Sequence, residues 1–241
     1  MFPIRDSVPK DRTPTVVYGL ILINALVFLY QLGLSPRAAE TFAYTYGLVP
    51  ARYFYPDGTL ASFPFSYYTP FITAAFLHGG WLHIIFNMWT LFIFGSTLES
   101  RIGNVQFLTF YICCAAASTY AHGLFNTLSE VPVIGASGAI AGVISAYAMR
   151  FPTARITLLL PIIIIPFIFT IPALAYAVIW FGFQLLQGTW EALTPSIGES
   201  SIAWWAHIGG FIAGLLLLPL FLVFAPPERA RSGWQQPGPW D

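Results

Sequence analysis

The sequence predicts an all-α membrane protein, a bundle of six transmembrane helices. Three observations carry that prediction. The 241 residues are 57% hydrophobic and 17% aromatic but only 8% charged, against the roughly 25% charged residues of a soluble domain. Apolar stretches recur at the length that crosses a bilayer, about 20 residues at about 1.5 Å rise each. Arginine and lysine gather on one side of those stretches.

The spans follow in chain order as residues 16–32, 81–98, 105–121 and 133–149, with 202–224 as the last. Between them, residues 156–186 are apolar or weakly polar and broken by Pro161, Pro166 and Pro172. That stretch is too long for one helix and short for two with a turn. It reads as a single fifth span, 171–187, preceded by a proline-punctuated segment against the inner face. With the N-terminus inside, the inner face carries Arg5, Lys10, Arg12, Arg101, Arg150, Arg155, Arg229 and Arg231, and the outer face Arg37 and Arg52. This is a positive-inside bias. A seventh span would weaken it and would carry His207 away from Ser137. Residues 1–13 are expected as an inner-face tail, 14–225 as the transmembrane domain and 226–241 as a disordered tail. The first connection, 34–80, holds many aromatic residues with polar tips, which favour the water–lipid boundary.

Composition excludes several functions. Net charge is zero without a basic run, which argues against a nucleic-acid partner. Cys113 and Cys114 are neighbours in one apolar run, badly placed for a disulfide. No Asp, Glu, Lys or Arg falls inside the six spans, and Glu99 and Arg101 stand at the inner boundary; ion-coupled carriers usually place such groups at mid-membrane. His78 and His83 have no acid between them, so the zinc-hydrolase pattern H-E-x-x-H is missing. No pair of intramembrane aspartates exists for an aspartyl protease. Neither metal nor cofactor is expected.

The polar side chains that remain in the spans fall at one depth. His83 and Asn87 lie four apart on one face of the second span, two to six residues in from the outer side. Ser137 lies about four residues into the fourth span, and His207 about five into the sixth. Gly138 and Gly142 form a small-residue stripe beside Ser137, and Gly210 and Gly214 form another below His207. In lipid such stripes let helices approach closely. A hydroxyl and an imidazole at matching depth are the parts of a nucleophile and its base, provided they meet within about 3 Å.

These residues resemble the rhomboid family of intramembrane serine proteases. His78-Gly-Gly-Trp-Leu-His83-Ile-Ile-Phe-Asn87 is similar to the family's H-x-x-x-x-H-x-x-x-N. Gly95 to Gly103 resembles the turn that follows, Gly135-Ala-Ser137-Gly138 the nucleophile motif, and Ala206-His207 to Gly214 the base-bearing helix. The resemblance implies Ser137 as nucleophile and His207 as general base. His83 and Asn87 would join the Ser137 backbone amide as the oxyanion hole, with His78 in support. Ala141 stands where the family often has a tyrosine stacked on the base, and the Trp-Arg pair common in the family's first loop is missing. The expected activity is hydrolysis of peptide bonds in or near transmembrane segments of membrane-protein substrates, which approach laterally past Phe86, Trp180 and Phe181 under a lid at 188–201. The alternative is a silent relative that binds client helices without cutting. Compact size and the absence of a targeting sequence point to a bacterial or archaeal inner membrane with both termini cytoplasmic.

Overall fold

The computed structural model describes residues 2–54, 65–162, 165–193 and 203–226. Its elements are β1 (Phe2–Asp6), α1 (Thr15–Leu32), α2 (Pro36–Tyr46), α3 (Ala51–Phe54), α4 (Pro70–Thr73), α5 (Trp81–Thr90), α6 (Ser96–Ile102), α7 (Asn104–Phe125), α8 (Ser137–Arg150), β2 (Arg155–Ile162), β3 (Ile165–Pro172), α9 (Ala173–Leu193) and α10 (Trp204–Val223). Helix dominates. Among the described residues, three helical stretches are long and apolar enough to cross a membrane: Thr15–Leu32, Trp81–Ile102 and Trp204–Val223. The second of these is α5 and α6 joined through a π turn at Leu91–Gly95. The outward residues of α1 are themselves apolar, with Leu22, Leu26 and Leu29 all more than half exposed. Such a helix is apolar all round, as a lipid-facing span must be.

Helix α8 is the centre of the bundle. Every residue from Gly138 to Ala148 is buried, and α7 and α10 pack along it. Small residues make this possible. A Cβ built on Gly210 would lie 1.9 Å from the Gly138 carbonyl oxygen, and one on Gly214 would lie 2.2 Å from that of Gly142. The two glycine stripes therefore interlock backbone to backbone, closer than any side chain allows.

Buried polar groups tie the opposite end together. The Glu99 carboxylate accepts from the Val16 N–H (2.9 Å) and the Val17 N–H (2.8 Å), capping α1 from another helix. Pro14 precedes that helix and supplies no side-chain cap, so Glu99 satisfies donors that would otherwise be orphaned. Asp6 accepts from Thr97 Oγ1 (2.7 Å) and Tyr147 Oη (3.1 Å), fastening β1 to α6 and α8. Arg101 pairs with Asp11.

The expectation of an all-α chain is corrected by a three-stranded antiparallel sheet in the order β1-β2-β3. Phe2 stands opposite Leu159, Arg155 opposite Pro172, and Pro161 opposite Pro166. The stretch read as a proline-punctuated segment is a hairpin. Ile156, Thr157, Ile168, Thr170 and Ile171 are β-branched and fit a pleated surface. Pro161, Pro166 and Pro172 lack the N–H a helix needs and sit at the hairpin end or strand end, where a ladder tolerates them. The run is apolar or weakly polar throughout, so no regular polar alternation betrays the strands. The first thirteen residues, expected as a tail, supply β1 and the Asp6 and Asp11 contacts. Residues 227–241, with Arg229 and Arg231, and residues 194–201 of the expected lid lie outside the described residues.

Candidate active site

Ser137 opens α8 directly after a turn that glycine makes possible. Gly135 has φ +124°, a backbone conformation that side-chain-bearing residues rarely adopt. Its N–H donates to the Ala74 carbonyl (2.8 Å), pinning the turn to the segment before α5. Space demands glycine too, since a Cβ here would lie 2.6 Å from His83 Nε2. The Ile140 N–H already bonds back to the Ala136 carbonyl (3.0 Å). The Ser137 N–H belongs to the first turn, whose donors have no intrahelical acceptor.

His207 reaches Ser137 from α10. Its Nε2 lies 2.8 Å from Ser137 Oγ, within the range for direct proton transfer. The ring's other nitrogen, Nδ1, lies 2.7 Å from Gln184 Oε1 on α9. Trp180 is tilted beside the imidazole with ring centroids 5.8 Å apart, and Trp204 meets it edge-on at 6.2 Å. Ala141 is fully buried, and these groups surround the ring in place of a stacked tyrosine. Ser137 and His207 are both half-buried.

His83 approaches the same point from α5, and Asn87 lies one turn further along that helix. The Gly79 N–H donates to His83 Nδ1 at 3.4 Å. A neutral imidazole with an acceptor at Nδ1 carries its proton on Nε2, the nitrogen that faces Gly135. His83 is thus set as a donor toward the Ser137 turn. Asn87 is buried, and its Nδ2 has no acceptor among the described residues. The structure therefore brings together Ser137, His207 and His83. It adds one contact that sequence reasoning missed, Gln184. Gln184 is a polar residue three positions from the end of the expected fifth span, and its depth alone does not say that it turns inward.

His78 lies behind this group. Its N–H donates to Gln31 Oε1 (3.1 Å), and Gln31 Nε2 donates back to its carbonyl (3.3 Å). Its ring stands edge-on to His83 at 4.9 Å. Burial, and then the neighbouring His83, push the His78 imidazole down from 6.5 to about 3. The unfolded chain therefore binds this proton more tightly than the folded one. The stabilising contribution is complete above about 6.5 and is lost as pH falls toward about 3. Melting temperature in detergent should decline across that window, and His78→Gln should flatten the decline; equal slopes for the two proteins would refute it.

Of the three aromatic residues expected at a lateral gate, Phe181 stacks on Phe211 of α10 (4.4 Å) and Trp180 lies against Phe211 and His207. Phe86 meets Phe2 of β1 at 5.2 Å. Two of the three thus serve the packing of α9 on α10.

Residues 66–224 match the Rhomboid domain family. The chain is 29% identical over 236 residues to "Rhomboid protein 1, mitochondrial" of Saccharomyces cerevisiae, covering 96% of this chain and 60% of that protein. It is 34% identical over 97 residues to "Presenilin-associated rhomboid-like protein A, mitochondrial" of Danio rerio, covering 39% and 25%. It is 28% identical over 146 residues to "Rhomboid protease GlpG" of Yersinia pestis, covering 61% and 45%. The chain thus spans less than two thirds of each relative's length. The expected bacterial or archaeal inner membrane is corrected by these matches. The relative that aligns with nearly the whole chain is a mitochondrial protein, and the cytoplasmic assignment of both termini falls with it. Compactness could not have decided the matter, because span length reports bilayer thickness and not the compartment.

Proposed function

Because the chain belongs to the rhomboid family, we propose that it is an intramembrane serine protease that cuts membrane-protein substrates in or near their transmembrane segments. The observation that carries this reading is the 2.8 Å contact between Ser137 Oγ and His207 Nε2. In the proposed reaction Oγ attacks a substrate carbonyl carbon while its proton passes to His207 Nε2. The carbonyl oxygen becomes an oxyanion, held by the Ser137 N–H, His83 Nε2–H and Asn87 Nδ2. Oxyanion donors of this kind contribute roughly 3 kcal/mol each in acyl transfer. Collapse breaks the peptide bond, and His207 returns its proton to the leaving amine. Water then attacks the acyl-enzyme, His207 takes one of its protons, and Oγ recovers that proton as the new carboxyl product leaves.

The fold assigned to this activity has six membrane crossings, adding α7, α8 and α9 to the three candidate spans. Residues 14–225 form that domain. The names of two relatives favour a mitochondrial membrane. Substrates are expected to carry Gly, Pro or small polar residues at the end of their span nearest the site, because a helical carbonyl is already bonded and must be released before attack.

The test treats purified protein with a fluorophosphonate probe and offers it a test transmembrane substrate, alongside Ser137→Ala. Wild type should label and cut, and the variant should do neither. Equal labelling or cleavage by Ser137→Ala ends this reading. A wild type that binds the substrate helix without labelling or cutting would instead be the silent relative.

A further inference from the structure

Gln184 is the second partner of His207, and the reaction proposed above leaves it without a role. Its setting is unusual for α9. Phe183, Leu185 and Leu186 beside it are each at least two-fifths exposed, whereas Gln184 is 7% exposed. One polar side chain of this stretch turns inward, and its carbonyl oxygen ends 2.7 Å from the ring nitrogen that Ser137 does not use.

The chemistry of the imidazole makes that contact consequential. A neutral ring carries a single N–H and a single lone pair. Nε2 can take the Ser137 proton only while its own lone pair is free, so the N–H must reside on Nδ1. An N–H enclosed by Trp180, Trp204 and the apolar faces of α9 and α10 needs an acceptor to stay there. We infer that Gln184 is a positioning residue for His207: its Oε1 accepts from Nδ1–H, fixes the ring's orientation and keeps Nε2 open to Ser137 Oγ. When His207 becomes imidazolium, both N–H groups already have acceptors, Gln184 Oε1 on one side and the reacting oxygen on the other. A neutral amide does this without burying a carboxylate, whose desolvation an apolar bundle resists. This assignment rests on the protease reading for its kinetic consequences, but the tautomer it requires does not.

The competing explanation is that Gln184 merely holds α9 against α10 as inter-helix packing. Gln184→Met keeps the side-chain length and removes the acceptor. Gln184→Glu keeps the acceptor and adds charge. Nitrogen-15 NMR of the His207 ring in detergent should show Nδ1–H in wild type and in Gln184→Glu, and a mixture of tautomers in Gln184→Met. Against a test transmembrane substrate, Gln184→Met should lose about ten- to a hundredfold in kcat with KM unchanged, the range set by one hydrogen bond to a charged group. Gln184→Glu should retain most of kcat and shift the acid limb of its pH profile upward, since an adjacent carboxylate favours the imidazolium. A pure Nδ1–H tautomer in Gln184→Met, or wild-type kcat in that variant, overturns the inference. If Gln184→Met does not fold, an unshifted acid limb in Gln184→Glu overturns it. A wild type that neither labels nor cuts overturns the protease reading instead, and the tautomer measurement then decides the role of Gln184 by itself.

Discussion

Replacing His207 by alanine is expected to cut substrate cleavage on the order of a thousandfold or more while leaving the protein folded. Without the imidazole, Ser137 Oγ has no other hydrogen-bond acceptor among the described residues, and a neutral hydroxyl is a poor nucleophile. The residual rate would come from the oxyanion donors and from substrate binding. Folding should survive because alanine is the best helix former and the ring touches chiefly Gln184, Trp180 and Trp204. The measurement is single-turnover cleavage beside fluorophosphonate labelling and a melting curve. Labelling of His207→Ala at the wild-type rate would show that Ser137 is activated by something else.

The second large effect falls on the frame and not on the chemistry. Gly210→Ala puts a methyl 1.9 Å from the Gly138 carbonyl oxygen, where the obstacle is backbone held by the hydrogen-bond ladder of α8. No rotamer relieves such a clash, so α8 and α10 must separate. Overpacking usually costs about 1–3 kcal/mol, and a clash with buried backbone belongs at the upper end or beyond. Gly138 neighbours Ser137 and Gly210 follows His207 by three residues, so the same separation opens the 2.8 Å contact. Gly210→Ala should therefore lower melting temperature and abolish labelling together. Gly182→Ala is the control, since nothing lies within 4 Å of a Cβ there and alanine favours an exposed helix by about 1 kcal/mol. An unchanged melting temperature for Gly210→Ala would refute the interlocked packing.

Proximity of Ser137 and His207 was legible because polar groups are so scarce in this chain that a shared depth stands out. The facing glycine stripes were legible for a related reason, as small residues have few other uses in lipid. Gln184 was not. A lone glutamine near the end of a span reads as an interfacial residue, and only the rotation of α9 about its axis, which apolar residues on all sides leave unspecified, turns it inward. The sheet escaped because both faces of β2 and β3 are apolar and one partner is Phe2–Asp6, far away in sequence. Glu99 is legible as a charged residue closing an apolar stretch, but its cap on α1 depends on which helix stands beside it. The bulk of Trp180 and Phe181 is legible too, but bulk does not say which neighbour a ring will choose.

The pairing of Phe2 with Leu159 also dictates an order of assembly. During synthesis β1 is made first, yet its central partner β2 is translated only after α8. At roughly 5–20 residues per second this leaves β1 waiting on the order of ten seconds or more, with an unpaired edge exposed to the wrong companions. Docking of β1 through Asp6 can come only once α6 and α8 are present, and its pairing in the sheet only once β2 is made. All of these partners precede α10 in the chain, so β1 can be seated before His207 ever reaches Ser137.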